Sequence, residues 1–265
     1  MLSGKFPKIG WSKMSCHFII PDLHVRPGDN QRRADWIGRA ICEIKPDTVV
    51  CLGDAADMES LCSYDKGTKA FQGRSHRADI DSHLSFQDRL WGVVKAQKKR
   101  LPLRVILEGN HEHRIKRAIN LQPELEGAMS FEDLELDRFY DIVVPYQGST
   151  PGIVELDGIS YAHYLVSGVS GRPISGEHLA YSLLSKHHSS CVVGHNHTLD
   201  YCIRTRVDGR RIQALCAGVC QEHVSEFAGE SQKLWWNGVV VLKEVHDGGY
   251  DPIFISLEQL KKRYG

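Results

Sequence analysis

Five short β-rich runs each end in side chains that commonly bind metal ions, and this repeated pattern constrains the fold of the chain most. The runs span residues 18–20, 48–52, 104–107, 159–162 and 191–193. The side chains that follow them are Asp22 and His24, Asp54, Asn110, His163, and His195 and His197. Loops leaving the carboxyl ends of strands are where open α/β sheets place ligands, because the sheet holds the backbone there rigid. The pattern therefore indicates one convergent site and a two-metal hydrolase.

Amphipathic segments separate the first three runs and predict helices. Apolar side chains recur at helical spacing over residues 36–44 and again over residues 80–94. Pro46 and Pro102 follow these segments and mark the return to extended chain. The first half of the chain is therefore predicted to run β-α-β-α-β.

The last third of the chain is dominated by strand-like runs. Residues 201–207 and 211–217 are predicted to form a hairpin around the turn Asp208-Gly209. Residues 238–245 form another β-rich run, and we expect it to extend this hairpin into a meander.

The order and spelling of the five polar clusters resemble the calcineurin-like metallophosphoesterase superfamily. The motifs are D-x-H, G-D-x-x-D, G-N-H-E, a lone His and G-H-x-H, and they span residues 22–197. The resemblance implies an α/β fold, specifically a four-layer αββα sandwich of two mixed β-sheets flanked by helices. It also implies a metal-dependent hydrolase of phosphoric esters.

By the same resemblance, seven side chains hold two divalent metal ions. Asp54 is expected to bridge the ions, since a carboxylate can bind both. The first ion would also be bound by Asp22, His24 and His197, and the second by Asn110, His163 and His195. Mixed imidazole and oxygen ligands suit Mn, Fe, Zn, Ni or Co better than Ca or Mg. We expect Mn to support activity best.

Hydrolysis of a phosphoester at neutral pH needs a hydroxide, relief of charge on the phosphoryl oxygens and a proton for the leaving oxygen. Two ions roughly 3.5 to 4 Å apart share one water as a bridging hydroxide and clamp the phosphate. His111 follows a proposed ligand, and the resemblance places it at the leaving group, so it is the candidate general acid. Asp57 matches the family aspartate that orients this histidine.

The substrate is less constrained than the mechanism. G-N-H-E with Glu112 also occurs in Ser/Thr protein phosphatases, but Met58 stands where their phosphate-clamping arginine is expected. Arg114, Arg117 and Arg74 are candidate contacts to a nucleic-acid backbone, although a solvated helix face is the alternative for such residues. We therefore favour a phosphodiesterase or nuclease acting on DNA, RNA or nucleotides over a protein phosphatase-like phosphomonoesterase. A scaffold that has lost catalysis would lack ligands, and none is missing.

The Trp235-Trp236 pair allows two interpretations. It could stack on a base, but we favour packing within the core or against a sheet, because aromatic pairs beside a β-rich run usually anchor it.

Length and composition fit one globular domain over residues 1–265. Apolar residues make up 42% of the chain, and 33 Lys and Arg balance 33 Asp and Glu, so polyanion binding would require a local patch. The first 16 residues lack the apolar centre of a signal peptide, and no apolar run reaches membrane-spanning length. We expect a cytoplasmic protein that has no membrane partner.

Overall fold

The computed structural model describes residues 14–168, 170–223 and 226–265. Most of the N-terminal segment used for the signal-peptide prediction, residues 1–13, therefore lies outside the described residues. The strands are β1 Ser15–Ile20, β2 Thr48–Cys51, β3 Leu103–Leu107, β4 Ile142–Val144, β5 Ile153–Leu156, β6 Ile159–Ala162, β7 Val166–Ser167, β8 Arg172–Pro173, β9 Cys191–Val193, β10 Leu199–Thr205, β11 Arg211–Ala217, β12 Gly238–His246 and β13 Gly249–Ser256. The helices are α1 Arg32–Ile44, α2 His76–Gln97, α3 His113–Leu121, α4 Leu136–Phe139, α5 Leu179–His187 and α6 Leu257–Tyr264.

Two mixed sheets form the centre of the fold. The first has the strand order β13-β12-β1-β2-β3-β4, in which β1 to β4 are parallel and β12 and β13 are antiparallel to their neighbours. The second has the order β10-β11-β9-β6-β5, with β9 parallel to both β6 and β11. The predicted α/β class and its two mixed sheets are confirmed.

Helices cover the outer faces of the sheets, as the αββα prediction requires. Trp36, Ile37 and Ile41 of α1 are buried in a core shared with α2 and the first sheet. Leu179 and Leu183 of α5 lie in a second core, which includes the inner faces of both sheets. The helical spacing read over residues 36–44 therefore places the correct face of α1 inward.

The predicted meander is wrong. β10 and β11 form the expected hairpin, but β12 pairs with β1 and β13 in the first sheet rather than with β11. Val239 and Val241 of β12 lie in one core while Val240 and Leu242 lie in the other. A strand that is apolar on both faces is stable only where both faces are covered. The first sheet offers such a position, because the cores lie on both of its sides.

All eight cysteines are free, and five of them are buried. Among the described residues, no helix combines the length and apolar character that a membrane crossing requires.

Candidate metal centre

The five polar clusters converge at the carboxyl ends of the inner strands. Asp22, Asp54 and Asn110 follow the parallel strands β1, β2 and β3 of the first sheet, and His163 and His195 follow the parallel strands β6 and β9 of the second. Because the two sheets pack face to face, their loops meet at one edge. The structure thus brings together the side chains that the sequence pattern singled out.

One group of candidate ligands consists of Asp22, His24 and His197. One ligand atom of each lies within 4.8 Å of the others, and all three side chains are buried. The Nε2 atoms of His24 and His197 are 3.0 Å apart, and His197 Nε2 lies 3.1 Å from Asp22 Oδ2. Such a cluster of buried nitrogen and carboxylate atoms could hold a transition-metal ion.

A second group consists of Asp54, His163 and His195, again with ligand atoms within 4.8 Å of one another. Asn110 belongs beside this group, because its Oδ1 lies 2.9 Å from His163 Nε2. All seven predicted metal ligands are therefore brought together, in two groups that match the predicted division.

Asp54, a member of the second group, faces both groups with one oxygen, Oδ2. Its Oδ2 is 3.3 Å from His163 Nε2 and 3.9 Å from His24 Nε2, so it faces a histidine of each group. Its Oδ1 instead accepts a hydrogen bond of 2.8 Å from the backbone N–H of His111. The sequence argument assumed that both carboxylate oxygens are available, whereas the structure leaves Oδ2 for both groups.

Hydrogen bonds orient two of the histidines as ligands. The Nδ1 of His163 lies 2.9 Å from the carbonyl oxygen of Leu52, and the Nδ1 of His24 lies 3.2 Å from Asp57 Oδ1. A proton on each Nδ1 satisfies these acceptors and leaves a lone pair on Nε2, as in metal sites where an outer partner fixes the tautomer. Both Nε2 atoms face the interior of the cluster.

The ionisation of these groups reflects burial and mutual charge. Burial opposes the ionised form of Asp54, but His111 and His163 outweigh it and hold the pKa of Asp54 well below its usual value. Burial likewise opposes protonation of His163, yet Asp54 raises its pKa to about 9. Burial lowers the pKa of His24 and of His195 to about 4. The site therefore combines the Asp54 carboxylate with the neutral imidazoles of His24 and His195, whereas Asp54 favours the protonated form of His163.

The backbone at the site adopts the left-handed region that glycine normally prefers. His24, Asp54, His195 and His197 have φ angles of 44°, 47°, 67° and 61°. Non-glycine residues in this region cost of order 1–3 kcal/mol each and are concentrated at functional sites. Gly109 also serves close packing, because a Cβ there would overlap the backbone nitrogen and Oδ1 of Asp54.

His111 and Asp57 are in contact, as the sequence predicted. His111 Nδ1 lies 2.7 Å from Asp57 Oδ1 and 2.7 Å from the Asp57 carbonyl oxygen. Burial and Arg114 lower the pKa of His111, but Asp54 and Asp57 outweigh them, so the net shift is upward. His24, Asp57 and His111 also form a third group whose atoms could hold a metal ion. The geometry is compatible with two roles for His111, as a proton donor held by Asp57 or as a metal ligand.

The three candidate substrate arginines occupy different environments. Arg114 donates through Nη1 to the carbonyl oxygens of Asp57 and Met58, and its Nη2 lies 3.1 Å from His111 Nε2. Arg74 lines a cavity of about 480 Å³ beside His111, although its guanidinium is paired with Asp65 at 2.6 Å. Arg117 is exposed and donates to Ser63 Oγ at 3.2 Å. Of these three arginines, Arg114 is the one that contacts the candidate acid.

Two aromatic side chains at the site were not predicted to be site residues. The Tyr164 ring lies 4.7 Å from the His195 ring, and the Trp235 ring lies 4.2 Å from the His197 ring, measured between centroids. Trp236 contacts Phe254, as the favoured packing role expects, whereas Trp235 packs on a candidate metal ligand. The proximity of Tyr164 to His163 along the chain was the available signal for the first ring. No local feature of the sequence indicated that Trp235, rather than Trp236, would contact the site.

The sequence model of the calcineurin-like phosphoesterases matches residues 18–238. A crystal structure of a dimetal phosphatase from Danio rerio is 12% identical, with a TM-score of 0.42, and the match covers 92% of this chain and 99% of that one. A second crystal structure is 10% identical, with a TM-score of 0.43, and the match covers 92% of this chain and 100% of that one. No curated protein matches the chain.

Proposed function

The chain belongs to the calcineurin-like phosphoesterases, and from its membership of this dimetal hydrolase family we propose that it cleaves phosphodiesters of nucleic acids or nucleotides. We also propose that residues 1–265 form a single domain and that the protein is cytoplasmic. The alternative is a phosphomonoesterase of the protein phosphatase type.

The residues present fit two divalent ions. Asp22 Oδ1 is buried and has no hydrogen-bond partner among the described residues, which is costly unless a ligand binds it. We assign Asp22, His24 and His197 to one ion, Asn110, His163 and His195 to the other, and Asp54 to both. When bound, such ions lower the pKa of water and neutralise charge on the phosphoryl oxygens. Mn²⁺ remains our expected ion among the transition metals that a mixed imidazole and oxygen donor set suits, which also include Fe, Zn, Ni and Co.

His111 is proposed to move the proton. Asp57 holds its Nδ1, so the imidazolium can donate from Nε2 to the leaving oxygen. The neighbouring Arg114 guanidinium favours release of that proton, because two adjacent positive charges repel each other. Arg114 can then hydrogen-bond to the anionic phosphate with the donors that it does not use on backbone carbonyls.

The cavity of about 480 Å³ beside His111 is the observation that favours a diester. His111, Asp57 and Arg114 all line it, so it lies beside the proposed acid and offers room for a large ester arm. Met58 also disfavours the protein phosphatase alternative, since its side chain is fully buried and cannot contact phosphate.

The proposal is tested with the purified chain loaded with Mn²⁺. We expect faster hydrolysis of bis-p-nitrophenyl phosphate than of p-nitrophenyl phosphate, followed by activity on single-stranded DNA, RNA or cyclic nucleotides. Chelation should abolish the activity, and added Mn²⁺ should restore it. Hydrolysis of monoesters and phosphopeptides alone would establish the alternative function instead.

A further inference from the structure

A second cavity, of about 300 Å³, adjoins the one beside His111. Arg114 lines both cavities and therefore forms part of the wall between them. Because Arg114 Nη2 lies 3.1 Å from His111 Nε2, the second cavity begins one side chain away from the proposed acid. Since His111 is proposed to protonate the leaving group, this places the second cavity on the leaving-group side of the site.

The charge of the second cavity differs from that of the first. Lys66, Arg114 and Arg117 line it, and none of the described residues that line it is Asp or Glu. In the first cavity, by contrast, Arg26 and Arg74 are paired with the carboxylates of Glu59 and Asp65 at 3.1 and 2.6 Å. The chain as a whole has no net charge. The second cavity is thus a local positive patch beside the site.

The rest of the wall is largely apolar. Phe71, Leu121 and Leu125 contribute to it, and Leu121 is 72% exposed. An exposed apolar side chain next to cationic groups fits a ligand that has a ring or hydrocarbon body and an anionic group. A nucleotide has both, with a base that packs on apolar surface and a phosphate that binds Arg and Lys.

We propose that the second cavity is a subsite for the nucleotide attached on the leaving-group side of the scissile phosphate. Its cationic side chains are Arg114, Arg117 and Lys66, and its apolar wall includes Phe71, Leu121 and Leu125. This inference rests on the proposed phosphodiesterase function. It predicts that the substrate is a strand with a further phosphate beyond the cleaved bond. Arg117 and Lys66 would bind that phosphate, while Arg114 lies between it and the phosphate that reacts.

The test compares three thymidine dinucleotides, TpT, pTpT and TpTp, using kcat/KM of the Mn²⁺-loaded enzyme. One of the two phosphorylated forms carries its extra phosphate on the leaving group. That form should be cleaved about tenfold faster than TpT, the effect of one charge-assisted hydrogen bond. Arg117→Ala and Lys66→Ala should each remove most of this preference. Both side chains are exposed, so the substitutions leave the fold intact.

Arg210→Ala is the matched control, since Arg210 is 74% exposed and precedes β11, at the opposite end of that strand from the site. It should keep the wild-type preference. Equal cleavage of all three dinucleotides, or a preference that survives in Arg117→Ala, would overturn the subsite and leave the diesterase function standing. If bis-p-nitrophenyl phosphate and the dinucleotides all resist hydrolysis, the proposed function fails and the subsite fails with it.

Discussion

Glu112 holds Asp54 in place through the backbone, because Glu112 Oε2 accepts a hydrogen bond of 3.0 Å from the Asp54 N–H. The same oxygen accepts from Gly109 N–H at 2.9 Å, and Oε1 accepts from Ala56 N–H at 2.9 Å. One buried carboxylate therefore joins the loops that follow β2 and β3. Burial and the nearby Asp54 raise the pKa of Glu112 to about 7, which is the cost of placing two carboxyl groups together.

Glu112→Gln should destabilise the protein by about 1–3 kcal/mol, because an amide nitrogen would then face one of three backbone donors. Denaturant unfolding of the chelated protein measures the effect without the contribution of metal. Glu126→Gln, at an exposed position, is the control and should change little. Equal stability of the two variants would mean that the three hydrogen bonds contribute nothing.

Asp54→Asn should reduce the content of both metal ions, because Oδ2 of this residue faces histidines of both groups. Activity should fall roughly 10³-fold or more, since several kcal/mol of charge stabilisation is removed. Elemental analysis and kcat measure the two effects. Asp251→Asn, exposed on β13, should retain both ions. A fully loaded Asp54→Asn enzyme would contradict the bridging role.

His111→Ala should retain both ions and lose about 10²- to 10⁴-fold in kcat on diesters with poor leaving groups. The loss should be much smaller on bis-p-nitrophenyl phosphate, whose leaving group needs no proton. Metal content and the two rates decide between the proposed acid and a ligand role in the third group of His24, Asp57 and His111. Loss of metal from the variant would establish the ligand role.

Arg114→Gln should move the alkaline limb of the rate profile to higher pH. Arg114 lowers the pKa of His111, so its removal allows the acid to keep its proton further up the pH scale. We also expect kcat/KM to fall about tenfold, because a charged donor to phosphate is lost. A rate profile measured from pH 6 to 10 tests both effects. An unchanged limb would show that another group sets the alkaline pKa.

His83 should make the fold weaker in mild acid. It is fully buried on α2, and burial lowers its pKa from 6.5 to about 4. Between these values the unfolded chain binds a proton that the folded chain does not, so stability falls as pH decreases through this window. The loss is at most about 1.4 kcal/mol per pH unit. The free energy of unfolding of His83→Leu, measured with urea, should fall less between pH 6.5 and 5 than that of the wild type. An equal fall in both proteins would show that His83 does not cause the loss of stability.

The site was predictable from the sequence because each cluster follows a strand directly. Short apolar runs before Asp22, Asp54 and His195 indicate strands without knowledge of their partners. The placement of β12 was not predictable in this way, because Val239 to Leu242 suit either sheet and pairing depends on contacts far along the chain. Trp235 illustrates the same limit, since its contact with His197 joins distant segments. Local patterns thus indicate which side chains converge, but not which residues surround them.

The left-handed backbone at His24, Asp54, His195 and His197 has a consequence for how the protein acquires its ions. These conformations are imposed by the folded strands and loops, so their cost is met during folding rather than when metal arrives. An incoming ion then meets ligands that are already arranged, and little ordering is left to oppose its capture. Binding of the ions should therefore be fast, and the chain should keep its native fold when the ions are removed.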